Sequence, residues 1–268
     1  MKIVFWSESN SCKTTANMAA IGSMCSLLFP YQNILMQNRT GPGGLDFIFQ
    51  PGKHIGFVQE ESAYYALEGM DYLIWQEQNH RLDRDSMREG MVPVLDRKLF
   101  YLPSGKREKP RLYPKETGAL QYEVIKKMEE FSDITFIDCG DLEDDLTEKL
   151  LKSADVVVVN LSQSKEALDS FFIKHHPICG KIIYLINNYD FNSVYNRKNL
   201  NRIYRISEEQ LCVIPINQKF ETACIAGKLD VFLKKQVNNR NSRQNKMFMK
   251  ELLWSTHLIL KAAGLAGA

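Results

Sequence analysis

Apolar residues along the chain fall into two kinds of run. Short, nearly continuous stretches rich in Val, Ile, Leu and Phe stand at residues 2–6, 33–37, 99–102, 134–138, 156–161, 181–186 and 211–215. Runs without polar alternation are the pattern of parallel strands buried on both faces. Longer stretches between them read as helices, at 13–28, 60–78, 116–131, 142–152 and 218–226. This alternation predicts an α/β chain with a doubly wound, mostly parallel sheet flanked by helices. Residues 51–115 are less regular and include a Pro/Lys/Arg-rich loop at 103–114, which reads as an insertion with its own helices. Residues 1–268 are therefore expected to form a single domain, closing with a basic linker at 231–246 and a helix at 247–263. No internal repeat or low-complexity tract interrupts the pattern.

Composition narrows the class. The 268 residues are 44% hydrophobic and 25% charged, which matches a globular chain and excludes a disordered or fibrous one. A net charge of +2 implies no bulk electrostatic partner. Only four apolar residues follow Lys2 before Ser7, too few for a secretory leader. The uncharged span between Lys13 and Arg39 is broken by Asn17, Pro30, Gln32 and Asn33, so its apolar part suits a buried helix rather than a membrane crossing. Six cysteines at 12, 25, 139, 179, 212 and 224 form no C-x-x-C pair, and scattered thiols suit a reducing cytoplasm.

Candidate chemistry begins after the first strand, in Ser7-Glu8-Ser9-Asn10-Ser11-Cys12-Lys13-Thr14-Thr15. A strand, a tight loop of small residues and Lys-Thr-Thr opening a helix make a phosphate cradle. Loop N–H groups and the helix N-terminus surround the anion, the lysine adds a point charge, and the first threonine hydroxyl can reach Mg²⁺. The glycines usual in such a loop are absent, and Ser9, Asn10 and Cys12 carry a Cβ where positive φ favours glycine. A Ser/Asn turn capping a helix is the competing reading. Asp138 closes the run 134–138 ahead of Gly140. A carboxylate at the end of a central strand beside a phosphate loop is placed for a Mg²⁺-associated role, with capping of the next helix as the alternative. Asn187 and Pro215, at the ends of later strands, are suited to framing a nucleobase.

In this order the motifs resemble the ParA/MinD family of deviant Walker A ATPases, whose fold is P-loop NTPase-like. The likeness covers essentially the whole chain. It runs through the Lys-Thr-Thr loop, LFYLPSG at 99–105, FIDCGD at 136–141, ADVVVVNLSQSKEAL at 154–168, LINNYD at 185–190 and VIPINQKFETACIAGKL at 213–229. The finer resemblance is to the CpaE/TadZ-like branch, associated with polar placement of pilus and secretion machinery. The resemblance implies ATP and Mg²⁺ as cofactors, with Ser9, Asn10, Ser11 and Cys12 forming the loop. It implies Lys13 on the β- and γ-phosphates, Thr14 on Mg²⁺, Thr15 on the α-phosphate and Asp138 at the water-linked metal site. Asn187 would meet the adenine edge, with Pro215 nearby. A homodimer closed over ATP, used as a switch to position protein or DNA cargo, is implied as well.

Three departures bear on turnover. Glu8 stands where the family's loop has a signature lysine that crosses the dimer interface. Ser9, Asn10 and Cys12 replace loop glycines, and Gln37-Asn38-Arg39 replaces a D-x-D pair that positions metal and attacking water. Each removes charge placement, which is most of what a protein supplies in phosphoryl transfer. The expectation is an ATP-binding switch with weak or no hydrolysis, or alternatively a non-hydrolysing scaffold for protein–protein interaction. Asn187 and Asp190 also echo the N-K-x-D pattern of GTP-binding proteins, but Asn188 stands at the lysine position, which ranks adenine ahead.

Other features read more plainly. His175-His176-Pro177 suits a surface turn, and Asp141, Glu143, Asp144 and Asp145 suit a helix N-terminus. Gly41-Pro42-Gly43-Gly44 is a wide turn at the place of the family's nucleotide-sensing switch. The stripe Met247, Phe248, Leu252, Leu253, Trp254, Leu258 and Ile259 has the spacing of a core-facing helix. Residues 191–268 hold thirteen Lys/Arg and five Asp/Glu, a local +8. Lys234, Lys235, Arg240 and Arg243 lie in its densest part, which carries a possible non-specific DNA contact, with an anionic membrane as the rival and a solvated linker as the plain alternative.

Overall fold

The computed structural model describes residues 1–9, 13–38, 44–49, 69–96, 98–104, 114–141, 143–174, 178–238 and 245–265. Eight strands form one sheet: β1 (Lys2–Ser7), β2 (Asn33–Gln37), β3 (Val92–Leu95), β4 (Leu99–Tyr101), β5 (Ile134–Gly140), β6 (Val156–Leu161), β7 (Lys181–Tyr189) and β8 (Leu211–Pro215). Their order is β3-β4-β2-β5-β1-β6-β7-β8. All neighbours pair in parallel except the β3–β4 hairpin. The chain moves to one side of β1 for β2 and returns to the other for β6. The crevice above the carboxyl end of β1 is thus the topological switch point, where open α/β sheets bind ligands.

Strand side chains alternate between two cores. Ile3, Phe5, Val156 and Val158 face one core, while Val4, Trp6, Val157 and Val159 face the other. The first core is closed by α1 (Thr14–Leu28), α2 (Leu45–Phe49), α9 (Gln218–Ile225), α10 (Leu229–Asn238) and α11 (Lys246–Ala262). The second lies under α3 (Gly69–Gln78), α4 (Arg84–Gly90), α5 (Pro114–Phe131), α6 (Asp145–Ser153), α7 (Lys165–Ile173) and α8 (Arg197–Tyr204). Helix α1 is buried along most of its length, with Met18, Ile21, Met24 and Cys25 in the core. A Cβ on its Gly22 would run into Leu35 of β2, so the helix lies close on the sheet.

Several elements differ from the apolar pattern. Strand β3 contains Pro93, which hides it from a strand reading, and Pro93 is tolerated because β3 is an edge strand. The helix expected over 142–152 begins at Asp145, where the Asp144 side chain accepts the Thr147 N–H at 2.8 Å and caps it. Residues 231–238, expected within a basic linker, are instead helical as part of α10. Leu229 and Leu233, four residues apart, are fully buried, and each side chain contributes about 1.5–3 kcal/mol by burial. Lys234 and Lys235 occupy the exposed side. Arg240 and Arg243 lie outside the described residues. No described helix is long and apolar enough to cross a membrane.

Candidate functional site

The site is built from the carboxyl ends of β1, β2 and β5. Of the loop, Ser9 and Lys13 are described, while Asn10, Ser11 and Cys12 lie outside the described residues. The Ser7 hydroxyl donates to Ser9 O at 2.9 Å and Gly140 O at 3.2 Å, tying the start of the loop to the end of β5. Lys13 precedes α1 with a left-handed backbone, φ 47° and ψ 37°. That conformation crowds a Cβ and is found at functional loops more than elsewhere.

Asp138 is fully buried, in register with Phe5 of β1 on one side and Gln37 of β2 on the other. Thr15 Oγ1 donates to Asp138 Oδ2. Asp138 Oδ1 accepts the Gly140 N–H at 2.8 Å, which requires the chain to fold back through the positive φ of 56° that Gly140 supplies. The threonine that meets Asp138 is thus Thr15, the residue expected on the α-phosphate, rather than Thr14, the residue expected beside it at the metal. Thr14 is buried at the first helical position. Beside Asp138, burial pushes the Cys139 thiol above its ordinary range, which favours its neutral form.

At the end of β2, where the family pattern has carboxylates, two buried amides knit neighbouring segments together. Gln37 Nε2 donates to Ser104 Oγ, and Gln37 Oε1 accepts the Leu45 N–H at 3.1 Å. Gly44 passes so close that a Cβ there would overlap Gln37 Oε1. The Asn38 N–H donates to Asp138 O at 2.7 Å, and Asn38 Nδ2 donates to Thr147 Oγ1 at 2.9 Å. Gln121 Nε2 donates to Asn38 Oδ1 at 3.3 Å. An amide cannot accept a proton from water at neutral pH, so these groups hold structure rather than activate a nucleophile.

Glu8 points into its own chain. Ser170 Oγ donates to Glu8 Oε1 at 3.1 Å, and Lys174 Nζ forms an ion pair with the same oxygen. This hydrogen bond holds the Lys174 ammonium above its ordinary range. Lys13 Nζ lies 2.7 Å from Glu221 Oε1 on α9 and donates to Asn188 Oδ1 at 3.3 Å. Asn187 is buried and turns its amide nitrogen inward, donating to Leu161 O at 2.9 Å. Pro215 ends β8 opposite Tyr189. Asn17 of α1 donates to Asn160 of β6 at 2.9 Å, which fixes the helix to the strand beside β1.

The partners Glu221, Ser170 and Lys174 were not legible as site residues, because each lies more than 160 positions from the loop residue it meets. His175, His176 and Pro177, with Arg39 and Gly41–Gly43, lie outside the described residues. In the basic segment Lys234 Nζ meets Asp96 Oδ2 at 3.2 Å on the open surface. Of the α11 stripe, Phe248, Leu252, Leu258 and Ile259 are core residues, while Met247 and Trp254 are exposed.

No protein-family model matches the chain, and no curated protein is similar to it in sequence. Solved structures do match over nearly the full length. A ParA family ATPase from Chlorobium tepidum TLS superposes with a TM-score of 0.68 at 15% identity, covering 96% of this chain and 98% of that one. An ATP complex of a McdA variant from Cyanothece gives 0.65 at 12% identity, covering 100% and 97%. The septum site-determining protein MinD from Pyrococcus horikoshii OT3, complexed with Mg-ADP, gives 0.60 at 12% identity, covering 99% and 98%. At such identities the likeness is one of fold, and on that measure this chain is a single-domain α/β protein with the architecture of the ParA/MinD P-loop ATPases.

Proposed function

We propose that this chain is a nucleotide-responsive switch of the ParA/MinD kind, binding ATP with Mg²⁺ above the carboxyl ends of β1 and β5. The observation that carries the reading is the Thr15–Asp138 pair behind a Lys-Thr-Thr loop at the switch point of a parallel sheet. The donor set fits the cofactor: the hydroxyl of Thr14 and the carboxylate of Asp138 are hard oxygen ligands, Thr15 would hold the α-phosphate, and Mg²⁺ is usually held by one or two carboxylates together with substrate phosphates. Bound Mg²⁺ would supply charge neutralisation on the phosphates. Lys13 would add a point charge, and Asn187 and Pro215 would border the adenine. The structural neighbours crystallised with ATP and with Mg-ADP support the same cofactors.

Hydrolysis is proposed to be slow or absent. Losing a single positioned donor typically costs about 10²–10³ in rate, and here the β2 carboxylates and the signature lysine are both replaced. The cargo is proposed to be pilus or secretion machinery, following the CpaE/TadZ-like likeness, or DNA held by Lys234, Lys235, Arg240 and Arg243. Homodimer closure over ATP accompanies the switch.

Calorimetry with ATP and Mg²⁺ tests the reading. Binding in the millimolar range or tighter, lost in Lys13→Ala, supports it, and no binding at millimolar ATP sinks it. For DNA, binding should be sequence-independent, and neutralising the four basic residues should flatten the salt slope by up to about four units.

A second reading is favoured by a specific contact. Glu8 is tethered to Ser170 and Lys174 of its own chain, where the family's loop has a lysine. A scaffold that never turns ATP over accounts for that arrangement. Phosphate release above background, abolished by Lys13→Ala, would rule the scaffold out.

A further inference from the structure

Lys13 is engaged by two groups that sequence reading did not place at the site. Its Nζ lies 2.7 Å from Glu221 Oε1 and 3.3 Å from Asn188 Oδ1. The contact joins the start of α1, the end of β7 and the first turn of α9. Among the described residues five non-glycine residues have positive φ, and two of them, Lys13 at 47° and Asn188 at 46°, meet here. Left-handed backbone at lysine persists only where surrounding contacts hold it. Glu221 meets the Lys13 side chain from the first turn of α9, where the helix favours a carboxylate.

We infer that Glu221 is a positioning residue of this site: it holds the Lys13 ammonium toward β7 and α9, and nucleotide phosphates must win Lys13 from it. The inference rests on the nucleotide-binding reading above and goes beyond it by naming the competitor built into the chain. Both side chains are about two-fifths exposed, 39% and 38%, so the pair is a reversible latch rather than a lock. An open pair of this kind changes an equilibrium by about two- to fivefold, less at high salt.

Two measurements on the full chain test it. Without nucleotide, acetylation of Lys13 by acetic anhydride, which loses acetate as the amide forms, should by mass spectrometry rise in Glu221→Gln and stay near the parent level in Glu221→Asp, which keeps the carboxylate. The thermal midpoint should not move in either, which separates positioning from a general structural role. With ATP and Mg²⁺, calorimetry should give about two- to fivefold tighter binding for Glu221→Gln than for the parent, with the gain shrinking as salt is added. Equal Lys13 reactivity in all three proteins overturns the latch, as does binding of equal affinity in parent and Glu221→Gln. Absence of binding in both overturns the nucleotide reading itself, and the role of Glu221 with it.

Discussion

Gln37 and Asp138 stand opposite each other at the carboxyl ends of adjacent parallel strands, β2 and β5, and both are buried. Their surroundings use them differently. Asp138 gathers a threonine hydroxyl from α1 and the Gly140 N–H of the turn behind it. Gln37 spans outward, joining Ser104 after β4 to Leu45 at the start of α2. The next residue, Asn38, continues that pattern to Thr147 and Gln121. One strand end carries a carboxylate that accepts two hydrogen bonds, and its neighbour carries amides that cross-link loops. The lesson is that adjacent positions of one sheet edge can diverge in chemistry while the backbone frame stays put.

The sharpest way to break this comparison is Asp138→Ala. Two part-buried donors, the Thr15 hydroxyl and the Gly140 N–H, would lose their acceptor, each costing about 1–2 kcal/mol, so urea unfolding should show a loss of about 2–4 kcal/mol. Gln37→Glu comes next, since it puts a second carboxylate in register with Asp138. A shift of one to two pK units for the introduced group corresponds to a loss of about 1.5–3 kcal/mol at neutral pH. Its folded-state pKa would lie above the unfolded value, so the deficit should shrink as pH falls through the carboxylate range. A deficit independent of pH would show that geometry rather than charge explains the amide.

Gly44→Ala should cost about 1 kcal/mol or more, because the site has φ 60° and the added methyl meets Gln37 Oε1. The same change should leave the Thr15–Asp138 side alone, so a nucleotide affinity equal to the parent's would confirm that the two strand ends act separately. The smallest response is expected from thiols. Burial pushes Cys25 and Cys212 up to about 12, so native labelling of either should stay negligible from neutral to mildly alkaline pH. Exposed Cys179 should react first among the described cysteines. Early modification of Cys139 would show that the β5 end opens.

Much of this frame was legible from residue type. Strands β2, β6 and β8 coincide with their apolar runs because each is buried along its whole length. The short helices α7 and α8 were not, since few of their side chains face the core: Leu168 and Phe171 in one, Leu200 in the other. In α10 the two lysines masked an apolar stripe whose buried members are Leu229 and Leu233, with Phe232 and Val237 partly buried beside them. At the site, Asp138 and the Lys-Thr-Thr run announce themselves locally. The contacts of Glu8, Glu221 and Gln37 are long-range, fixed by what the topology brings alongside them.

The two margins of the sheet bear on how copies of this chain can associate. Strand β3, at one margin, is four residues long, and Pro93 offers no N–H to an incoming chain on either side. At the other margin α11 lies over β8, and Ser255 Oγ donates to the Val213 carbonyl at 3.2 Å. Addition of a foreign strand is thus disfavoured at both margins, at β3 by its brevity and its proline and at β8 where α11 takes up the Val213 carbonyl.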